Sequence, residues 1–146
     1  MPITQLEPQE AKSAMDEADG SVYLDVRTEI EFAQGHPTGA INIPFALAGA
    51  GGMMPNSDFL DVVQKVLTDK DQPIFCGCQV GGRSQMAADL MTQAGYTNLV
   101  NVQGGFGGRV ENGALVVTGW RDLGLPVDND VNESNSYASL KTQAEG

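Results

Sequence analysis

The sequence predicts an α/β protein in which helices cover both faces of a central, mostly parallel five-stranded sheet. Short runs of β-branched and aromatic residues alternate along the chain with segments of helical length and composition. The connections between these segments are short, which is typical of strands and helices that wind around one sheet. At 146 residues the chain has the size of one domain.

The first half of the chain holds three of the predicted strands. They are expected over residues 3–5, 22–26 and 40–43. A helix is predicted over residues 8–18 from its alanine, methionine and glutamate content. A second helix follows Thr28, which can cap it with Glu31 at the capping-box position, and Gly35 ends it.

The second half holds the other two predicted strands, at residues 73–76 and 99–102. Helices are predicted over residues 58–67 and 83–94, where apolar residues recur at helical spacing. The glycine-rich connection at residues 47–55 has no local conformational preference, so we expect a mobile rim there.

The C-terminal third of the sequence is less regular. Residues 107–118 show no clear pattern, although residues 115–117 are a candidate for a small strand, and residues 120–123 are expected to form a helical turn. After residue 127 the composition becomes polar. We therefore expect one domain over residues 1–128 and a flexible tail over residues 129–146.

The charge balance argues against several classes of partner. The formal net charge is −11, and the 8 lysine and arginine residues are spread along the chain. Nucleic acid and anionic membrane surfaces are therefore not expected as partners. The N-terminus lacks the basic and apolar regions of a secretory signal, and no run has the length of a membrane helix. We expect a monomeric cytoplasmic protein without a cofactor, and a single histidine leaves no metal cluster to propose.

The stretch at residues 75–84 carries the chemistry. An apolar strand leads to Cys78, Gly81 and Gly82 allow the following loop to curl, and a helix opens directly after them. Such a junction aims backbone N–H groups at the sulfur, and the helix dipole and the Arg83 guanidinium add positive charge. These groups would stabilise the thiolate that nucleophilic chemistry requires. Parallel sheets bind ligands beyond the carboxyl ends of their strands, where this loop is predicted to lie.

The other cysteine, Cys76, is predicted to be a buried strand residue. Its spacing from Cys78 is one residue short of the CxxC pattern, and a disulfide between residues two apart in a strand would be strained. Both thiols are therefore expected to be free. The alternative for Cys76 is sulfur relay or a redox pair with Cys78.

Three motifs resemble signatures of the rhodanese family of sulfurtransferases. The similar stretches are residues 24–44 for the N-terminal signature, residues 78–84 for the active-site loop, and residues 104–106, 120 and 124–127 for the C-terminal signature. The resemblance spans residues 4–127 and implies a single-domain rhodanese.

By this resemblance Cys78 is the nucleophile. Its thiolate would attack the outer sulfur of thiosulfate or a persulfide, and the persulfide formed would pass its sulfur to cyanide or a thiol. The implied partners are a small-molecule donor and acceptor, with an acceptor protein as a further option. Arg83 is assigned to the catalytic loop, either to neutralise it or to pair with a scaffold carboxylate. The persulfide cradle is assigned to Gln79, Val80, Gly81, Gly82 and Ser84.

Two other functions stay open at this point. Phosphatases and arsenate reductases of related fold have one residue more between cysteine and arginine, whereas 4 residues separate Cys78 from Arg83 here. The shorter loop suits a sulfur atom better than a tetrahedral oxyanion. The other alternative is a non-catalytic binding or regulatory module of the same family, which the intact cysteine disfavours.

Residues around the loop have supporting tasks in this interpretation. Asp25 and Arg27 are candidates for loop support, and Arg27 also for attracting an anionic donor. His36 is expected to be a hydrogen-bonding residue of the scaffold. Residues 107–118 are an addition to the family pattern that could shape the mouth of the site. Further candidates for attracting an anion are Arg109 and Arg121.

Overall fold

The protein is built on one five-stranded parallel sheet. The computed structural model describes residues 3–49 and 51–145, so Met1, Pro2, Ala50 and Gly146 lie outside the described residues. In chain order the elements are β1 (Thr4–Leu6), α1 (Pro8–Glu17), β2 (Val22–Asp25), α2 (Glu29–Gln34), β3 (His36–Pro37), β4 (Ile41–Asn42), β5 (Ala46–Gly49), β6 (Gly52–Pro55), α3 (Phe59–Val66), β7 (Ile74–Gly77), α4 (Gly82–Gln93), β8 (Leu99–Val102), β9 (Arg109–Glu111), β10 (Ala114–Val117), a 3-10 turn (Arg121–Leu123), β11 (Val127–Asp128) and α5 (Tyr137–Glu145).

The strand order of the main sheet is β1-β8-β7-β2-β4, and its neighbouring strands pair in parallel. This confirms the predicted α/β architecture and places β7 at the centre of the sheet. The carboxyl end of β7 therefore lies between the ends of β8 and β2, where loops from both can reach it.

Side chains alternate across the sheet and build a hydrophobic core on each face. Leu24 and Ile74 point towards α3, α4 and α5, whereas Tyr23 and Phe75 point towards the face where α1 and α2 pack. Burial on both faces explains why these strands appear in the sequence as nearly continuous apolar runs.

Two segments expected to be irregular form β-hairpins instead. Residues 47–55 fall largely within β5 and β6, which pair antiparallel with Leu47 opposite Met54. Gly49 and Gly52 pair with each other at the end of the ladder, next to the turn, so the three pairs before them are formed by residues with side chains. The segment at residues 107–118 holds β9 and β10, which include the candidate strand at residues 115–117. Its turn has positive φ at Asn112 (52°) and Gly113 (80°), as a two-residue type I′ hairpin turn requires.

The predicted flexible tail after residue 128 differs from the structure. Helix α5 packs on α3, and its Tyr137 and Leu140 are buried in the core on that face of the sheet. The Asn56 side-chain amide donates to the Tyr137 hydroxyl at 3.0 Å, and the Asn42 backbone N–H donates to the Asn135 carbonyl at 2.9 Å. The polar composition obscures this packing because a few anchoring residues fix the whole segment.

Candidate active site

The loop between β7 and α4 holds the candidate active site. Only glycine fits at position 77, because a Cβ there would lie 1.8 Å from the Tyr23 hydroxyl oxygen. Gly81 has a left-handed backbone with φ of 112°, which lets the loop turn back and start α4. Cys78 stands between these two glycines, and its sulfur faces the first turn of α4.

The Cys78 thiol is held against the helix N-terminus. The residue is only 1% exposed. The Gly81 N–H donates to Cys78 Sγ at 3.0 Å, and Ser84 Oγ lies 3.5 Å from the same sulfur. Two of the predicted cradle residues, Gly81 and Ser84, therefore contact the sulfur.

The other predicted cradle residues are arranged around the loop without contacting the sulfur by hydrogen bonds. The Gln79 side chain turns away and accepts from Arg27 Nη1 at 3.1 Å. Val80 is 52% exposed, and Gly82 is the first residue of α4. These residues shape the loop and its surface rather than the immediate surroundings of the thiol.

Arg83 pairs with a scaffold carboxylate, which is one of the two tasks that the sequence leaves open. Its Nη1 and Nη2 donate to the two Glu31 oxygens at 2.8 and 3.0 Å. Burial acts to raise the pKa of Glu31, but the hydrogen bonds from Arg83 and Thr28 outweigh it and lower this pKa to about 2. The capping box of Thr28 and Glu31 forms as predicted, so Glu31 links the start of α2 to the cysteine loop.

Arg27 and Asp25 form a buried ion pair beneath the loop. Arg27 is 2% exposed, and its Nη2 lies 2.7 Å from Asp25 Oδ2 and 2.6 Å from the Gly35 carbonyl oxygen. Its Nη1 donates to Gln79, as described above. Burial acts to lower the pKa of Arg27, whereas the hydrogen bond and charge of Asp25 raise it. The guanidinium is thus occupied with holding loops together, which agrees with loop support better than with donor attraction.

A second loop clamps the backbone of the cysteine loop. The Phe106 N–H donates to the Cys78 carbonyl at 2.8 Å, and the Gly107 N–H donates to the Gln79 carbonyl at 2.9 Å. The approach is so close that a Cβ at Gly105 would lie 2.2 Å from the Cys78 carbonyl oxygen. This contact gives a physical reason for the glycines around Phe106.

Two concavities flank the site. The first, which we call the polar cavity, has a volume of about 370 Å³ and is lined by Arg27, Glu31, Gln34, Gly35, Gln79, Phe106, Arg121 and Val127. The second, the apolar groove, has a volume of about 830 Å³ and is lined by Thr28, Ile30, Glu31, Phe45, Ala46, Ala48, Met53, Met54, Pro55, Arg83 and Met86. Glu31 borders both.

All 4 arginines of this acidic chain lie around the cysteine loop. Arg83 belongs to the loop, and Arg27 contacts Gln79. Arg121 lies over the Phe106 ring at 5.7 Å and lines the polar cavity. Arg109 lines a smaller pocket together with Val80, Gly81 and Gly82. Each of the four pairs with a carboxylate: Arg27 with Asp25, Arg83 with Glu31, Arg109 with Glu111 and Arg121 with Asp122. The pairs of Arg109 and Arg121 are solvent-exposed, so these two guanidinium groups are the ones that can turn towards an anion.

Cys76 and His36 belong to the scaffold. Cys76 is fully buried, and burial together with the nearby Cys78 raises its pKa to about 12. Both cysteines are free thiols. His36 stacks on Phe32 with ring centroids 3.7 Å apart, and its Nδ1 lies 2.7 Å from the Phe32 carbonyl oxygen. These contacts agree with the predicted hydrogen-bonding task of His36.

Two polar residues near the loop are missing from the sequence prediction. The Asn42 side-chain amide donates to the carbonyls of Asp25 and Arg27 at 3.0 and 2.9 Å. Asn101 contacts Ser84 from β8. An asparagine within a buried apolar strand is a signal that was available in the sequence, since buried amides need hydrogen-bond partners.

Within residues 3–49 and 51–145, no helix is long and apolar enough to cross a membrane, and no group of acidic, histidine and cysteine residues is arranged to hold a metal ion. The monomeric state and the cytoplasmic location stay predictions.

Comparison with known proteins identifies the family. The model of the rhodanese-like domain matches residues 7–111. Thiosulfate sulfurtransferase 18 of Arabidopsis thaliana is 32% identical over 136 residues, which cover 92% of this chain and 90% of that protein. The chloroplastic thiosulfate sulfurtransferase 16 of the same plant is 46% identical over 94 residues, covering 64% of this chain and 78% of that protein. The crystal structure of Rv0390 from M. tuberculosis matches with a TM-score of 0.71 at 29% identity, over 89% of this chain and 100% of that chain. With its fold, its cysteine loop and these relatives, the chain belongs to the rhodanese-like family of sulfurtransferases.

Proposed function

We propose that this protein transfers sulfane sulfur and carries it on Cys78. One observation supports this most directly: Cys78 Sγ lies at the N-terminus of α4, 3.0 Å from the Gly81 nitrogen. The N–H groups and the dipole at a helix N-terminus favour a negative charge. Because the thiolate and the persulfide are both anions, one cradle serves both states of the sulfur.

The proposed reaction is a double displacement. The Cys78 thiolate attacks the outer sulfur of thiosulfate, a new sulfur–sulfur bond forms, and the bond within thiosulfate breaks so that sulfite leaves with its electron pair. Cyanide or a thiolate then attacks the outer sulfur of the persulfide. Cys78 leaves as a thiolate, so atoms and electrons balance without an added oxidant or reductant.

Arg83 has a positioning task in this proposal. Two of its N–H groups are occupied by Glu31, at 2.8 and 3.0 Å. This anchors the start of α4 to α2 and keeps the Gly81 N–H aimed at the sulfur. The positive charge of Arg83 still favours an anion on Cys78 at short range.

The proposed donor is a small anion, with thiosulfate as the first candidate. Cys78 is 1% exposed, so a bulky donor would have to displace the loops around it. Arg121 lines the polar cavity and is half-exposed, so its guanidinium can leave the exposed Asp122 carboxylate and attract an approaching dianion. The acceptor stays open between cyanide, a small thiol and a protein thiol.

Intact-mass measurement after exposure to thiosulfate tests the proposal. The native protein and Cys76→Ser are expected to gain one sulfur atom, and Cys78→Ser is expected to gain none. Thiocyanate formation from thiosulfate and cyanide should follow the same pattern. Cys76→Ser is the matched control because it removes the other thiol while leaving the loop intact.

Two outcomes would contradict the proposal. If thiosulfate and small-molecule persulfides both leave the native protein unmodified, a non-catalytic module becomes the better interpretation. If Cys78 supports hydrolysis of an aryl phosphate but takes up no sulfur, the phosphatase alternative is favoured in spite of the short loop.

A further inference from the structure

Behind the cysteine loop, three amide side chains connect Ser84 to the protein surface. Ser84 Oγ lies 2.6 Å from Asn101 Oδ1, and Asn101 Nδ2 lies 2.9 Å from Gln5 Oε1. Gln5 Nε2 lies 2.5 Å from Gln85 Oε1, and Gln85 Nε2 lies 3.2 Å from Asp89 Oδ1. We call Asn101, Gln5 and Gln85 the amide chain. It joins a fully buried serine beside the thiol to an exposed carboxylate.

The Asp89 carboxylate determines which end of each amide side chain donates a hydrogen bond and which end accepts one. An ionised carboxylate only accepts hydrogen bonds, so Gln85 turns its NH₂ group towards Asp89 and its oxygen towards Gln5. Gln5 then donates its NH₂ group to Gln85 and accepts through its oxygen from Asn101. The Asn101 NH₂ group therefore faces Gln5, and the Asn101 oxygen faces Ser84. Since an amide oxygen only accepts, the Ser84 hydroxyl donates its single proton to Asn101.

This arrangement leaves the Cys78 sulfur facing the lone pairs of the Ser84 hydroxyl. The distances support donation to Asn101. Ser84 Oγ lies 2.6 Å from Asn101 Oδ1, which is closer than the Gly81 carbonyl oxygen at 3.1 Å or Cys78 Sγ at 3.5 Å. A Cys78 thiol can donate to Ser84 in this geometry. A Cys78 thiolate needs the Ser84 proton for itself, and that proton has to leave Asn101 first.

The sheet does not require an amide at position 101. The backbone of Asn101 pairs with Gln5 on β1 and Cys76 on β7, which any residue could do. The neighbours Val100 and Val102 are buried and apolar. An apolar side chain would suit this strand and would avoid burying an amide, so the asparagine has a task beyond packing.

We propose that Asn101 is a positioning residue that holds the Ser84 proton away from Cys78 and thereby sets the pH at which the thiolate forms. This depends on the proposed function only in taking Cys78 as the reacting sulfur. Asn101 touches neither the sulfur nor a donor, and it acts solely through the Ser84 hydroxyl.

The test follows the ultraviolet absorbance of the thiolate during a pH titration of the full chain, with Cys78→Ser as the blank. The titratable and charged groups that interact with Cys78 are Tyr23 on β2, Cys76 on β7 and Arg83 on α4. Burial raises the pKa of Tyr23 and raises that of Cys76 to about 12, so neither group titrates near neutral pH, and Arg83 keeps its charge throughout. Asn101→Leu removes the nearer acceptor of the Ser84 proton and leaves the Gly81 carbonyl at 3.1 Å and Cys78 Sγ at 3.5 Å to compete for it. The charge of a thiolate favours the sulfur in that competition. The midpoint is expected to fall by about one pH unit, the effect of one hydrogen bond to a charged group.

Two further variants separate this task from packing. Asn101→Asp keeps an acceptor for Ser84, so its midpoint should not fall below that of the native protein. In a Ser84→Ala background, Asn101→Leu should leave the midpoint unchanged, since no hydroxyl proton is left to redirect. Asn101→Val, which suits a strand, carries the same expectation as Asn101→Leu and replaces it if the leucine variant does not fold.

The proposal is overturned if the apolar variants leave the midpoint unchanged, if Asn101→Asp lowers it equally, or if the shift persists without Ser84. The titration does not depend on sulfur uptake. A protein that titrates as expected but accepts no sulfur supports the task of Asn101 and refutes the sulfurtransferase proposal.

Discussion

The ion pair of Glu31 and Arg83 makes the stability of the fold depend on acid pH. Burial acts to raise the pKa of Glu31, but its hydrogen bonds to Arg83 and Thr28 lower this pKa from 4.5 to about 2. A carboxyl whose pKa is depressed by folding stabilises the native state above its unfolded pKa. That contribution is lost as the pH falls through the folded pKa, here between about pH 5 and pH 2.

The size of the effect follows from the same values. A depression from 4.5 to about 2 corresponds to about 3.4 kcal/mol at ~1.36 kcal/mol per pH unit. The side chains of Arg83 and Glu31 are 22% and 30% exposed, so solvent screening reduces this to about 1–2 kcal/mol. We predict that Glu31→Gln lowers the free energy of unfolding by that amount at neutral pH, while the glutamine keeps the capping box. The difference should vanish near about pH 2.

Urea unfolding followed by the fluorescence of Trp120, the only tryptophan, measures this difference at several pH values. Glu29→Gln is the matched control, because Glu29 lies in the first turn of the same helix and forms no ion pair among the described residues. Equal losses in the two variants, or a difference that persists on acidification, would refute the assignment of the effect to the ion pair with Arg83.

Three further predictions concern the loops, the charges and the C-terminal segment. Gly105→Ala places a Cβ 2.2 Å from the Cys78 carbonyl oxygen and should destabilise by about 2–4 kcal/mol, whereas Gly20→Ala, with similar φ but open space, should cost about 1 kcal/mol. Thermal unfolding compares the two. Arg121→Gln should lower kcat/KM for thiosulfate about two- to fivefold at low salt, with the loss fading at high salt and absent in Lys70→Gln. Tyr137→Ala should cost about 2–4 kcal/mol in urea unfolding, and a neutral result would indicate that α5 does not pack in solution.

The main sheet could be predicted because local pattern and global architecture agree there. The strand predicted over residues 22–26 is β2 (Val22–Asp25), and the one over residues 99–102 is β8. The hairpin of β9 and β10 was equally accessible, since Asn112-Gly113 between apolar residues is a strong turn signal. The packing of α5 could not be predicted from the sequence, because two apolar residues within a polar segment do not form a periodic pattern that indicates a buried helix face.

Contacts within the candidate site could be predicted between residues close in sequence but not between residues far apart in sequence. The reactive cysteine and the glycine that donates to it lie within one short stretch, so local geometry indicates both Cys78 and Gly81. The partner of Arg83 is a carboxylate far earlier in the sequence, and only the fold brings Glu31 to it. The same limit applies to the Ser84 contact with Asn101, which joins α4 to β8.

Glu31 completes the capping box of α2 with Thr28, pairs with Arg83 and borders both the polar cavity and the apolar groove. Glu31→Gln keeps the capping box but weakens the loop anchor and changes the lining of both concavities, and any other substitution removes the capping box as well. For the proposed sulfur transfer, selection for a new donor or acceptor therefore has little freedom at Glu31 and more at the periphery, where Arg121, Met53 and Met54 each face a single concavity. Attempts to redirect the specificity of this scaffold should start from those outer residues and leave the shared carboxylate in place.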